Sequence, residues 1–312
     1  FSVMKNYTRE QFIKDIIAGL IVAIIALPLS IALAIASGVN PEQGLYTAII
    51  AGFFISFLGG SRVQIGGPTA AFVVIIYGII AEHGIPGLII ATLLAGVMLI
   101  LMGLFHFGDL IKFIPKTITI GFTLGIAIGI VVGQIKDFLG LNMGAVPAEF
   151  LTKLVAYSHN LGSISYITLA IGILALLIQI FWSKVSRKIP GSLVAIIVTT
   201  LLVAIFKLPV KTIGDLYTIK AGLPGFSMPV LSFSLVREMI LPAFTIAMLA
   251  AIESLLSAVV SDGMIGSKHK SNAELVGQGV GNILSALFGG IPATGAIART
   301  AANVKNGGRT PV

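Results

Sequence analysis

Glu253, in AIESLLSAVVSDG, and Arg299, in GAIARTAANV, are charged residues set deep inside runs of apolar and small side chains. An ionisable group at membrane depth costs about 2.5–3.5 kcal/mol on insertion scales, so each is a candidate for function. Ser257 follows Glu253 by one helical turn and shares its face. A carboxylate beside a hydroxyl can hold a proton, or a small hard cation such as Na+ through oxygen ligands. The structural alternative for Glu253 is a static bridge to Arg299 or hydrogen bonds to unwound backbone. Arg299 would supply a fixed positive charge one turn into a helix, favouring an anion. Its alternative is snorkelling toward the interface, since Lys305 follows six residues later.

The elements that must position these groups are marked by two glycine-rich segments 230 positions apart. FLGG at Phe57 to Gly60 leads into GGPTA, and LFGG at Leu287 to Gly290 leads into PATGA. Each reads as a helix that stops, a short extended piece, at Arg62 to Ile65 and Ile291 to Ala293, and a half-helix that restarts at membrane depth. The half-helices span Gly67 to Ala81 and Gly295 to Val304. Thr69 and Ala70 open the first, and Gly295, Ala296 and Ile297 open the second. Free N–H groups at such openings carry partial positive charge, and small residues let a ligand approach them, so two openings that face each other make an anion site.

Composition agrees with membrane depth. Of the 312 residues, 56% are hydrophobic and 10% charged, which excludes a soluble domain with a covered core. The net charge of +8 is spread between apolar runs, without the basic face of a nucleic-acid binder. With no cysteine, disulfides, thiolate chemistry and Cys-based metal sites are excluded. His83, His106, His159 and His269 show no metal-ligand spacing, and no nucleophile-elbow, Walker-type or dinucleotide motif occurs. An enzyme and a cofactor are therefore not expected. The first apolar run, Ile16 to Val39, is too long for a signal peptide and reads as a span.

Spans of about 20 residues are needed to cross the hydrocarbon. Full or nearly full helices are predicted at Asp15 to Gly38, Glu42 to Leu58, Pro86 to Phe107, Phe113 to Gln134, Ile164 to Trp182, Pro190 to Phe206, Met239 to Ser261 and Ala273 to Phe288. With the two half-helices, ten membrane elements result. A cytoplasmic N-terminus puts thirteen Lys and Arg inside, Lys5, Arg187 and Lys188 among them, and six outside, Lys220 among them, as the positive-inside rule requires. Asp137 to Ser163 and Lys207 to Ser234 are outer loops that carry at most a short amphipathic helix.

A shift of 230 superposes Gly59-Gly60 on Gly289-Gly290 and the apolar runs before them. A repeat of seven elements, an odd number, enters its second copy from the opposite face, the inverted-repeat plan of secondary transporters. Only three elements of the second copy lie within the chain, so about four more helices are expected after it.

The segment from Lys5 to Val74, with GLYTA at Gly44 to Ala48 and GGPTAA at Gly66 to Ala71, and the segment from Ala250 to Thr310, with IESLLSAVVSDGM, resemble the sulfate permease (SulP) family. The resemblance implies an all-α polytopic membrane protein built as an inverted seven-plus-seven transmembrane repeat with two strand/half-helix elements, here cut after about ten. It implies a core domain, residues 15–107 and 237–312, and the first part of a gate domain, residues 108–236. The remaining gate helices and a STAS domain would lie outside the chain. The anion is expected between the half-helices beginning at Thr69 and Gly295. In sodium-dependent bicarbonate members an Asp and a Thr four residues later hold sodium; Glu253 and Ser257 occupy those positions, a change that favours a proton. Many members carry Glu or Gln just before the first-helix Pro, whereas this chain has Ala26, as do the dicarboxylate-transporting members that it also resembles, which counts against sulfate in particular. The expected protein is a cation-coupled carrier of a small inorganic or carboxylate anion, sulfate foremost, with bicarbonate or C4-dicarboxylate symport and an anion channel as alternatives. It is expected in the cytoplasmic membrane, embedded in the lipid bilayer, as a homodimer, with no nucleic-acid partner.

Overall fold

The computed structural model describes residues 7–113, 116–144, 146–147, 149–186, 191–218, 222–230 and 232–311. Of the positions used above, Lys5, Arg187, Lys188, Pro190, Lys220 and Val312 lie outside the described residues.

Contacts divide the chain into two compact units, Phe1–Thr119 with Ile219–Val312, and Ile120–Thr218. The first begins with α1 (Arg9–Ala36), whose N-cap Thr8 accepts a hydrogen bond from the Gln11 N–H. α2 (Pro41–Leu58) starts at an Asn40–Gln43 capping box with Pro at its first position. After strand β1 (Gly66–Gly67) a 3-10 turn, Ala70–Phe72, runs directly into α3 (Val73–Leu104). The sequence reading ends a half-helix at Ala81 and begins a new span at Pro86. The structure breaks the helix there too: α3 is two helical segments joined across a kink at Gly84, whose φ of 63° and ψ of −165° no other residue type adopts readily. Later in the chain come α9 (Phe233–Ile265), α10 (Ser271–Leu287), strand β2 (Thr294–Gly295) and α11 (Ile297–Lys305).

The second unit holds most of α4 (Lys116–Leu139), with α5 (Phe150–Asn160), α6 (Tyr166–Val185), α7 (Gly191–Phe206) and the single turn α8 (Ile213–Leu216). α5 and α8 are the short helices within the two expected outer loops. Val132, Leu141 and Tyr157 form a small core of this unit.

The fold is helical and polytopic. Among the described residues three helices are long and apolar enough to cross a membrane, Arg9–Ala36, Ala70–Leu104 and Phe233–Ile265; a bent pair, Phe150–Ser163 with Tyr166–Trp182, makes a fourth candidate. The first unit's main core lies among α3, α9 and α10, where Ile76, Leu88, Leu99, Met239, Ile246 and Leu275 are buried. Close packing here depends on small residues, as membrane helices that gain little from burying apolar surface require. A Cβ on Gly96 would stand 2.7 Å from the Gly279 carbonyl oxygen, and one on Gly279 2.5 Å from that of Gly96.

Candidate functional site

β1 and β2 pair antiparallel, with Gly66 opposite Gly295 and Gly67 opposite Thr294. The Ala296 N–H adds a bond to the Ile65 carbonyl at 2.9 Å. This pairing, across some 230 residues of chain, brings the openings of the two half-helices together. The sequence reading places the extended pieces slightly earlier, at Arg62 to Ile65 and Ile291 to Ala293. Those stretches are irregular, because side chains claim several of their backbone groups, while the Ile65 carbonyl goes to the Ala296 N–H. Asn282 takes the Ala293 N–H and donates to its carbonyl, both at 2.8 Å. Thr47 accepts from the Ile291 N–H at 2.7 Å, and Ser285 donates to the Ile291 carbonyl at 2.8 Å. Around the first piece, Asn303 donates to Val63, Ser56 to Gln64, and Thr300 accepts from the Ile65 N–H. Non-helical backbone at membrane depth is tolerable only when satisfied in this way.

Thr69 and Ala296 are the N-caps of the 3-10 turn and of α11, and neither is capped by its own side chain. Both are buried, Ala70 is half-buried, and Ile297 is 39% exposed, at the open side of the second half-helix. Arg299 is 2% exposed. Its Nη2 donates to the Pro68 carbonyl, and its Nε has no hydrogen-bond partner. The snorkelling alternative is thus not what the structure has: the side chain crosses from the second half-helix to the first. Gly67 makes room for it, since a Cβ there would stand 2.6 Å from Arg299 Nη1.

Glu253 projects from α9 and is only half-buried. Its Oε2 accepts from the Thr69 hydroxyl at 2.9 Å, which places the carboxylate at the opening of the first half-helix. Glu253 and Arg299 attract each other electrostatically, yet no direct ion pair joins them among the described residues. Ser257 is fully buried and turns instead to Thr300, 3.4 Å between hydroxyl oxygens. The hydroxyl that meets Glu253 is therefore Thr69, from another element, and not its neighbour one turn along. Chemically, the site combines two sets of first-turn N–H groups with no side-chain cap, one buried cation and one half-buried carboxylate. Such a set can hold an anion and a proton or cation side by side.

Sequence reasoning singles out two interior charges and misses two more. Glu274 is 0% exposed and Asp15 1%. Both follow lysines, Lys268 and Lys270 in one case and Lys14 in the other, so each reads as an ordinary acid in an interfacial first turn. The usable signal for Glu274 is the small-residue stripe that follows it, ELVGQGVGN, which requires a closely packed helix on that face.

A helical membrane fold in which two strand-linked helix openings meet, one from each copy of an internal repeat, defines the inverted-repeat class of membrane proteins. Residues 12–312 match the family model described as Sulfate permease family, and the chain belongs to that family. It is 48% identical over 311 residues to "Putative sulfate transporter YvdB" of Bacillus subtilis (strain 168), covering 99% of this chain and 58% of that one. It is 36% identical over 308 residues to "Bicarbonate transporter BicA" of Picosynechococcus sp., covering 95% and 54%. The chain thus spans a little over half the length of these relatives. The solved transmembrane domain of a cyanobacterium bicarbonate transporter BicA superposes with a TM-score of 0.88 at 31% identity, covering 98% of this chain and 79% of that one. SLC26A9 superposes at 0.83 with 20% identity, covering 99% and 53%, a likeness of fold alone.

Proposed function

We propose that the chain is the anion-handling part of a secondary active transporter for sulfate or a related small anion, coupled to protons. The anion would sit between the openings at Thr69-Ala70 and Gly295-Ala296-Ile297, with Arg299 supplying the fixed charge. Glu253 would carry the coupling proton, or Na+ with Ser257. The observation that carries this reading is the β1–β2 pairing that joins the two openings beside Arg299 and Glu253. Backbone N–H groups aimed at one point bind any small anion, and the buried guanidinium raises that preference.

The unit containing both half-helices would act as the core, residues 15–107 and 237–312, and residues 108–236 as the first part of the gate. Alternating access would move one against the other, in a homodimer in the cytoplasmic membrane with the N-terminus inside. The compact unit of residues 120–218 supports a separately moving gate. Bicarbonate is the second reading, favoured by the 36% identity to a bicarbonate transporter.

The test is labelled sulfate uptake by the full-length protein in proteoliposomes, with and without an inward proton gradient, and with unlabelled bicarbonate and succinate as competitors. Gradient-stimulated sulfate uptake is expected. Absence of sulfate flux with uptake of bicarbonate would move the substrate; flux indifferent to any ion gradient would favour a channel.

A further inference from the structure

Glu274 has no place in the reading above. Its carboxylate is fully buried near the start of α10 and takes part in no ion pair among the described residues. Four donors converge on it. Oε2 accepts from the Gly60 N–H at 2.8 Å and the Ser61 N–H at 3.0 Å. Oε1 accepts from Gln64 Nε2 at 2.7 Å and Gln278 Nε2 at 2.9 Å. A buried carboxylate is tolerable only when its lone pairs are filled in this manner.

The two oxygens serve different ends. Oε2 holds the chain as it leaves α2, a structural tie. Oε1 fixes the Gln64 amide, and Gln64 reaches the candidate site twice. Its Nε2 also donates to the Ser254 carbonyl at 3.2 Å, on α9 next to Glu253. It also lies against Gly295 of β2, where an added Cβ would stand 2.3 Å from that same nitrogen. One amide therefore spaces the helix that bears Glu253 from the strand that delivers the second half-helix.

We infer that Glu274 is a positioning residue for the anion site, acting through Gln64; this rests on the functional reading proposed above. Glu274 sets which way the Gln64 amide faces. With a glutamine at 274, one amide oxygen can still take the Gly60 and Ser61 N–H groups, but an NH2 then opposes the Gln64 NH2. Gln64 relieves that clash by turning its own oxygen inward, which sets oxygen against the Ser254 carbonyl oxygen. The tie to α2 survives and the link to α9 is lost.

The test measures uptake of labelled sulfate, and of labelled bicarbonate in parallel, by the full-length protein in proteoliposomes. Variants are Glu274→Gln, Gln64→Ala, the two combined, and Arg299→Ala as a reference for the site. Glu274→Gln and Gln64→Ala should each raise the apparent KM about three- to tenfold, the range of one lost hydrogen bond, with maximal rate changed much less. The double variant should be no worse than the poorer single one, because the two residues act in series. Effects that multiply in the double variant, or that fall on maximal rate with KM unchanged, would overturn the role. If Glu274→Gln is not recovered folded, Gln64→Ala alone decides, since it leaves the tie to α2 in place: an unchanged KM rejects the inference. An altered KM in Arg299→Ala with none in these variants defeats the positioning role and leaves the site standing. No change in any of them defeats the site and the inference together.

Discussion

Glu253 and Arg299 hold different stations in the same site, and this separates their expected phenotypes. Glu253 is half-buried and bound to a neutral hydroxyl, Thr69, so a change in its charge breaks no direct ion pair among the described residues. Glu253→Gln keeps the hydrogen bond to Thr69 and removes the titrating group. Gradient-driven uptake should be lost while anion exchange persists, which uptake with and without a pH gradient, compared with counterflow, will show; unchanged coupling would remove Glu253 from that role. Arg299 is closed in against the Pro68 carbonyl with its Nε unpartnered. Arg299→Ala should weaken apparent sulfate affinity by about tenfold or more, as loss of a charged hydrogen-bonding group implies; an unaltered affinity would make Arg299 a structural bridge only. The candidacy of both residues was legible from charge at depth. Their partners were not, because Thr69 and Pro68 lie 184 and 231 residues away, and no local spacing reports such distances.

At the scale of elements, the half-helices were legible because glycine and proline interrupt apolar runs too short to cross. The strands between them were placed a few residues early. A two-residue strand has no periodicity to read, and its register is set by a partner far along the chain. The division of α3 at Gly84 to Pro86 is legible for the same reason as the half-helices: a glycine with positive φ followed by a proline interrupts the helix, and the structure has a kink there. The irregular pieces before the strands are held by side chains of neighbouring helices, and this makes a test. Asn282→Ala would leave both the N–H and the carbonyl of Ala293 without their side-chain partner in a buried position. The cost should be about 1–3 kcal/mol per abandoned group, seen as a lower thermal unfolding midpoint in detergent. Asn282→Asp restores only the acceptor half and should recover only the N–H contact. A midpoint unmoved by Asn282→Ala would mean that these backbone groups find water or another partner.

For the molecule as a whole, the β1–β2 pairing joins the two half-helix openings, and α11 also has to be tied to α1. Asp15, near the start of α1, does this. It accepts from Tyr7 and Gln11 on its own side, and from the Arg309 N–H at 2.8 Å and the Thr310 hydroxyl on the segment after α11. Gln11 adds a bond to the Gly307 carbonyl at 3.0 Å. The clasp thus joins parts of the chain nearly 300 residues apart and holds α11, with Arg299 on it, against α1. Asp15→Ala removes the acceptor and leaves four donors facing a void. Each unmade bond to a charged group is worth about 1.5–3 kcal/mol before neighbours relax, so a lower unfolding midpoint is expected in the full-length protein. The distinguishing readout is local: amide hydrogen exchange at Arg309 and the residues around it should accelerate well beyond that of the α3–α9–α10 core. Asp15→Asn keeps one acceptor oxygen and should fall between the two. Uniform acceleration across the first unit would instead make Asp15 a contributor to global stability, and unchanged exchange at Arg309 would show that α11 is held in place by the β1–β2 pairing and Arg299 alone.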